Sequence, residues 1–179
     1  MGGRSSRWFL NSDGNFFWSG NTGTDEPIKK ILTHPLDVLV CTQKFGERPG
    51  FYKNYGSPKG HNGLDFRTRQ PDGTWKVSVY AAMDGVVSEA NENEGNGKFI
   101  RIDHSNGYQS VYCHLSEVSV EEGVVVMSGQ KIGIYGNSGA ASEAPHLHFG
   151  YRPVTYDRDN GYMGYIDPTE YLMDDIRYV

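Results

Sequence analysis

Short runs of β-branched and aromatic residues alternate with polar positions along most of the 179-residue chain. Four such runs cover residues 77–80, 98–102, 108–113 and 124–126, and Gly-containing turn dipeptides such as Asn106-Gly107 separate them. A period of two is typical of strands with one buried face, whereas an amphipathic helix repeats every 3.6 residues. The pattern predicts a mainly β protein, built as an antiparallel sandwich or a partly closed sheet.

Helical and N-terminal segments are the exceptions to this pattern. Two short stretches, residues 25–33 and 167–173, are compatible with helices, and Pro168 suits a first helical position. Near the N-terminus, Trp8-Phe9-Leu10 and Phe16-Phe17-Trp18 flank a polar stretch that contains Asp13-Gly14, which predicts a hairpin. We therefore expect residues 1–33 to form an aromatic hairpin or appendage on a main domain of residues 34–179.

Composition narrows the possible partners. Glycine makes up 23 of 179 residues, nearly twice its usual share of about 7%, as expected for a fold with many chain reversals. The formal charge of −5 lacks the basic footprint of a nucleic-acid-binding domain, so nucleic acid is not expected as a partner. No apolar stretch has the length of a membrane span, and the N-terminus shows no secretory signal peptide.

Five of the residues best suited to chemistry fall into three short motifs. His61 and Asp65 lie four residues apart in His61-Asn62-Gly63-Leu64-Asp65, where the glycines favour a loop or strand end over a helix. His146 and His148 alternate with apolar residues, which on a strand directs both imidazoles to one face. His114 directly follows the run 108–113 and is predicted to lie on the same face as Tyr112, opposite Cys113.

This set of side chains matches the needs of a catalytic zinc site. Such sites hold zinc with three protein N or O ligands and leave a fourth position open. His61, Asp65 and one of the two histidines His146 and His148 supply that number, and spacing alone does not choose between the two. The remaining imidazole and His114 are then free for proton transfer.

The chain also resembles the lysostaphin-type zinc peptidoglycan endopeptidases, which have a duplicated hybrid motif fold with a narrow substrate groove. The resemblance extends from about His34 to Leu172, and residues 1–33 lie outside it. It rests on an ordered series of motifs: Phe45-Gly46-Glu47-Arg48, His61-Asn62-Gly63-Leu64-Asp65, Ala82-Met83-Asp84-Gly85-Val86-Val87, Tyr112-Cys113-His114-Leu115, Gly136-Asn137-Ser138-Gly139, Pro145-His146-Leu147-His148-Phe149 and Asp167-Pro168-Thr169-Glu170-Tyr171-Leu172.

The resemblance implies a role for each motif residue. It implies one zinc ion per chain, held by His61, Asp65 and His148, with His114 and His146 as catalytic groups and no assignment of the general base between them. Tyr55 falls where several members carry a tyrosine near the oxyanion. The implied reaction is hydrolysis of peptide cross-links in bacterial peptidoglycan by a zinc-activated water, in a zinc endopeptidase domain of residues 34–179 that acts on the cell wall.

Other interpretations concern residues outside these motifs and the setting of the protein. We interpret His104 as a turn residue, His34 as structural or solvated, and Cys113 as facing away from the site. One alternative function is a non-catalytic regulator or scaffold of the same fold. Another is a phage virion or tail component that uses the same activity for entry and contacts phage structural proteins; the missing signal peptide favours a phage-delivered or truncated protein over an ordinary exported hydrolase.

Overall fold

The computed structural model of the protein describes residues 8–10, 16–18, 30–70, 72–173 and 176–179. Their strands are β1 (Trp8–Leu10), β2 (Phe16–Trp18), β3 (Val40–Gln43), β4 (Leu64–Phe66), β5 (Ser78–Tyr80), β6 (Gly85–Asn93), β7 (Gly97–His104), β8 (Tyr108–Val118), β9 (Val125–Val126), β10 (Lys131–Tyr135), β11 (Leu147–Pro153) and β12 (Arg177–Tyr178). The helices within these ranges are one α-helix, α1 (Pro49–Tyr52), and 3-10 turns at Lys53–Tyr55, Arg158–Asn160 and Pro168–Glu170. None of these helices has the length and apolar character needed to cross a membrane.

Strands β3 to β12 form one open sheet in the order β12-β3-β4-β11-β8-β7-β6-β9, while β10 pairs with β8 and β5 beside this path. All pairings are antiparallel except that of β12 with β3. This confirms the predicted mainly β, antiparallel class with few short helices. Strands β4, β11 and β8 lie side by side at the centre, so the three histidine-bearing motifs become neighbours.

One face of the central strands forms the core. Leu64 and Phe66 of β4, Leu147 and Phe149 of β11, and Tyr112 of β8 are all fully buried there. Since side chains alternate along a strand, the residues between these positions point to the opposite face of the sheet. The core therefore fixes which side of the sheet carries Asp65 and His148.

Strand β8 contains an irregularity that changes this alternation. In the β7–β8 ladder, Ile100 pairs with Tyr112 and Lys98 pairs with Leu115, so Phe99 alone faces two residues of β8. These two residues are Cys113 and His114, and His114 has a φ of 65°. Two residues opposite one are the mark of a β-bulge.

In both segments predicted as possible helices, the structure differs from the prediction. In 167–173 the helix is the 3-10 turn Pro168–Glu170, which Asp167 caps by accepting a hydrogen bond from the Thr169 N–H at 2.9 Å. Of 25–33, residues 25–29 lie outside the described residues, and Leu32 forms a parallel bridge with Leu172 and is buried in the core. Backbone pairing with the C-terminal segment at Leu32 takes the place of helical hydrogen bonds.

The aromatic segments near the N-terminus form the strand pair β1–β2, in which Trp8 pairs with Trp18 and Leu10 with Phe16. The intervening residues 11–15 lie outside the described residues. The division of the chain at residue 33 stays a proposal.

Candidate metal and catalytic centre

The motif that begins at His61 places two polar side chains at one point without a helix. His61 lies in the loop before β4, and Asp65 is the middle residue of that strand, between two core residues. Gly60 has a φ of 124°, and a Cβ there would lie 2.2 Å from the carbonyl oxygen of Gly46, so the chain at this point requires glycine. The loop conformation predicted from the glycines is confirmed.

The second motif follows the predicted alternation. Leu147 and Phe149 are fully buried in the core, whereas His146 and His148 lie on the opposite face. In the sheet His148 pairs directly with Asp65 of β4 on one side and with Cys113 of β8 on the other. Residues directly opposite each other share a face of the sheet, so Asp65 and His148 are adjacent.

Three potential ligand atoms converge at this point. Asp65 Oδ1 lies 3.1 Å from His61 Nε2 and 3.0 Å from His148 Nδ1, and the two nitrogens are 3.0 Å apart. Zinc bonds of about 2.0–2.2 Å to N and O place tetrahedral ligands about 3.3 Å apart, close to this triangle. The three residues form a group able to hold a metal ion.

The surroundings of the triangle also fit a metal. His61 Nδ1 lies 3.1 Å from the carbonyl oxygen of Lys44, which can only accept a hydrogen bond. Nδ1 therefore carries the hydrogen in neutral His61, and the lone pair of Nε2 points toward Asp65 and His148. Burial alone would raise the pKa of Asp65, but the close contacts of its carboxylate with the imidazoles of His148 and His61 outweigh burial and hold that pKa well below its usual range.

His114 and His146 lie beside the triangle in matching orientations. His114 Nδ1 is 2.9 Å from the Ser138 carbonyl oxygen, and His146 Nδ1 is 2.7 Å from that of Ala144. Both imidazoles therefore donate through Nδ1 and keep a lone pair on Nε2. Their ring centroids are 4.8 Å apart, and His146 Nε2 is 3.7 Å from Asp65 Oδ1. Burial, with the neighbouring His148 and His146, lowers the pKa of His114 to about 3, which favours its neutral form.

The structure corrects the expectation for Cys113. Cys113 pairs directly with His148 and lines the cleft above the site, whereas Tyr112, expected on the face of His114, is buried in the core. The bulge is the reason, because it gives two successive residues of β8 the same side of the sheet. Burial raises the pKa of the Cys113 thiol to about 12, so it is a poor metal ligand or nucleophile at neutral pH.

The two other histidines stand apart from the site. His104 is the last residue of β7 and is 2% exposed, with Nδ1 2.9 Å from the Asp84 carbonyl oxygen and Nε2 2.8 Å from Ser110 Oγ. His104 is the first residue of the turn, since its carbonyl oxygen accepts a hydrogen bond from the Gly107 N–H at 3.1 Å, and its ring is held by buried polar partners on both sides. His34 is half-buried and lies outside the metal and catalytic group.

Two tyrosines line the cleft near the end of α1, Tyr52 as the last residue of this helix and Tyr55 in the 3-10 turn after it. Tyr55, proposed from the sequence for the oxyanion or substrate, lines the cleft but is 52% exposed. Tyr52 lies closer to the triangle, with its ring centroid 5.0 Å from that of His61 and its hydroxyl hydrogen-bonded to Gln43. The family resemblance pointed to Tyr55, and the structure places the ring of Tyr52 beside that of His61.

The site lies at the floor of a groove. A cleft of about 380 Å³ is lined by all four clustered imidazoles and Asp65, and a second hollow of about 250 Å³ shares Asp65, His146 and Tyr52 with it. Asp65 lines both hollows, so a substrate chain that occupied both would pass beside this potential ligand.

Gly63 offers a test of the packing around the triangle. A Cβ at this position would lie 2.7 Å from Cε1 and 2.8 Å from Nε2 of His148, and 2.7 Å from the Phe149 carbonyl oxygen. We expect Gly63→Ala to displace the His148 ring and to weaken zinc binding about 10- to 100-fold, measured by competition with a chelator. Gly50→Ala is the matched control, because a Cβ there has open space. Equal zinc affinity of the two variants would contradict the expected clash.

Comparison with known proteins places this geometry in a family. The model of Peptidase family M23 matches residues 59–162, which include both ligand motifs and His114. The peptidoglycan DD-endopeptidase ShyC of Vibrio cholerae is 37% identical over 121 residues, covering 68% of this chain and 26% of that protein. The chain thus spans about a quarter of the length of this relative.

Solved structures give the same result. The catalytic domain of the antimicrobial peptidase lysostaphin from Staphylococcus simulans superimposes with a TM-score of 0.54 at 31% identity, covering 63% of this chain and 78% of that chain. A zinc-containing peptidase from Vibrio cholerae gives a TM-score of 0.58 at 30% identity, covering 83% of this chain and 45% of that chain. With the family model matching more than half of its residues, the chain belongs to peptidase family M23.

Proposed function

We propose that this chain is the catalytic unit of a zinc-dependent endopeptidase that hydrolyses peptide cross-links of bacterial peptidoglycan. The observation that carries the proposal is the convergence of Asp65 Oδ1, His61 Nε2 and His148 Nδ1 on the floor of the groove, within 3.0–3.1 Å of one another. Family membership and the peptidoglycan-directed relatives support the substrate class.

In this proposal one zinc ion is held by His61, Asp65 and His148. A bound zinc ion supplies Lewis acidity for the scissile carbonyl and lowers the pKa of water from 15.7 to about 7. The chain contributes the placement of its ligands: the Lys44 carbonyl fixes the tautomer of His61, and strand pairing fixes Asp65 against His148.

His114 and His146 are the proposed proton-transfer groups. Because each donates its Nδ1 hydrogen to a backbone carbonyl, each presents a basic Nε2 and can accept a proton from water and return it to the departing amine. Burial, with the neighbouring His148 and His146, lowers the pKa of His114, so this imidazole is neutral before the reaction and a weaker base than an ordinary histidine. The two imidazoles share this work, one as the base and the other as an orienting or oxyanion-stabilising group. Tyr52 and Tyr55 are proposed to contact the substrate from the rim.

The proposed place of action is the bacterial cell wall, and the presence of all five site residues supports catalysis over a scaffolding role. A phage-delivered protein of the same activity is the alternative setting, in which phage structural proteins are the partners. Both settings share the same chemistry.

The test is digestion of purified cell walls by the zinc-loaded chain, followed by mass spectrometry of the released fragments. We expect cross-linked peptides to disappear and their single-peptide halves to accumulate, each cut adding one water. A chelator-treated sample is the control. Walls that keep their cross-links with the zinc-loaded chain would overturn the proposal.

A further inference from the structure

A second group of charges lies in the cleft, away from the metal ligands. Among the described residues that line it are Arg101, Arg152 and Arg158, and the one carboxylate in this lining is Asp65. The chain as a whole carries a formal charge of −5. The cleft therefore concentrates positive charge in a protein of opposite net charge, which favours an anionic group on the substrate.

Arg152 is on the same strand and face as the metal ligand His148. Along β11, residues 148, 150 and 152 share a face, since side chains alternate. At about 3.3 Å per residue, the Cα atoms of His148 and Arg152 lie about 13 Å apart. Arg152 thus occupies the same groove, a few residues of extended peptide from the metal ligands.

Arg152 is a buried cation without a carboxylate partner. It is 7% exposed, and no carboxylate of the described residues lies within ion-pair distance of it. Its Nε and Nη2 donate to Gln109 Oε1 at 3.0 and 2.8 Å, and Gln109 in turn donates to Asp103 at 2.6 Å. The charge of Asp103 thus reaches Arg152 only through a neutral amide. Arginine is seldom buried unless paired, because desolvating its charge is costly.

Two tyrosine rings hold the guanidinium of Arg152 in place. Its guanidinium stacks on Tyr156 at 4.1 Å and on Tyr165 at 5.0 Å, measured from Cζ to the ring centroids. Two aromatic rings hold the plane of the guanidinium, while Nη1 has no hydrogen-bond partner among the described residues. A fixed guanidinium plane with free N–H groups is suited to a carboxylate, which it binds through two parallel hydrogen bonds.

Arg101 is the second cation of this group. In the sheet, Arg101 pairs with Val111, and Val111 pairs with Gly150, so Arg101 shares the face of Arg152. Its Nη1 is paired with Glu89, whereas its Nε is buried without any hydrogen-bond partner in the described part of the chain. Arg101 is therefore partly neutralised and Arg158 is exposed, which leaves Arg152 as the buried cation of this group without a carboxylate partner among the described residues.

We propose that Arg152, assisted by Arg101, forms a subsite that binds a free carboxylate of the peptide substrate. The inference rests on the proposed function and deepens it, because it selects among peptidoglycan cross-links. A bridge made of glycine brings no side-chain carboxylate to this position. A link from D-alanine to a diamino acid brings one beside the cross-linking nitrogen, and stem peptides carry another on their glutamate.

The experiment compares cross-linked peptide dimers that differ in a single group. One dimer has all its carboxylates free, a second has the diamino-acid carboxylate converted to a carboxamide, and a third has the glutamate carboxylate so converted. The zinc-loaded chain, its Arg152→Gln variant and an Arg177→Gln control are assayed for kcat/KM and for binding. Arg177 is exposed on β12, and its replacement by Gln removes the same charge outside the cleft.

We expect the parent to prefer the free dimer about 10-fold or more over one of the two amidated dimers, the magnitude of a charge-assisted hydrogen bond. In Arg152→Gln this ratio should fall to about one, while Arg177→Gln keeps it. The carboxylate whose amidation lowers the kcat/KM of the parent is the one that binds at Arg152. A merely structural role of Arg152 lowers all rates together and leaves the ratio unchanged, which would overturn the proposal.

Failure of the proposed function gives a different result. If the zinc-loaded parent cleaves none of the dimers, the proposed peptidoglycan hydrolysis is wrong. The binding measurements then test the carboxylate subsite on their own. Tighter binding of the free dimer that is lost in Arg152→Gln supports the carboxylate subsite. Equal binding of all three dimers by the parent contradicts it.

Discussion

Asp65→Ala and His148→Ala are each expected to lose zinc and activity together. Each removes one of three convergent ligand atoms, and a site with three protein ligands has none in reserve. Zinc content should fall from about one ion per chain to below about one-tenth, and cell-wall hydrolysis by about four orders of magnitude or more. Elemental analysis and the rate of wall digestion, measured on the same samples, give both values.

The matched control for this pair is Asp37→Ala, which removes an exposed carboxylate outside the cleft and should leave zinc and rate unchanged. Circular dichroism before and after metal removal separates loss of metal from loss of fold. A full zinc complement in both Asp65→Ala and His148→Ala would show that the ion is held elsewhere.

His114→Ala and His146→Ala are expected to separate catalysis from metal binding. Neither residue belongs to the ligand triangle, so zinc should stay near one ion per chain. Hydrolysis should still fall about 10²- to 10⁴-fold, the usual effect of removing a positioned acid or base. The physical reason is that the Nε2 lone pairs that accept and return the proton are gone while the ligands are intact.

The backbone at His114 requires a second variant. With a φ of 65°, His114 is in the left-handed region, where alanine is strained and asparagine is better tolerated. His114→Asn should therefore keep the fold and the zinc, with a similarly reduced rate. Loss of zinc from His146→Ala but not from His148→Ala would reverse the two assignments. If His114→Asn hydrolysed cell walls as fast as the parent, His114 would be a structural residue and no proton-transfer group.

The alternation of residues 146–149 predicted the orientation of two site histidines correctly, because β11 pairs with β4 and β8 without irregularity and His146 directly precedes this strand. The same rule was wrong at Tyr112 and Cys113, where a bulge adds a residue. A bulge depends on how two strands pair over a distance, and no local pattern in residues 108–115 marks it.

Other features of the site could not be predicted from a sequence pattern. The carbonyl oxygens of Lys44, Ser138 and Ala144 fix the tautomers of three imidazoles, yet every residue type carries the same carbonyl. The nearness of Tyr52 to His61 depends on α1, a helix of only four residues. Tertiary contacts determine such elements more than helix propensity does.

At the bulge in β8, the number of residues in the strand matters as much as their identity. Phe99 faces both Cys113 and His114, so the bulge keeps His114 on the site face and Leu115 in the core, whereas strict alternation through the same residues would exchange these two faces. With strict alternation the His114 imidazole would point toward the core although the residue itself is the same. The extra residue at the bulge, together with the identity of residue 114, therefore brings the imidazole to the face of Asp65 and His148.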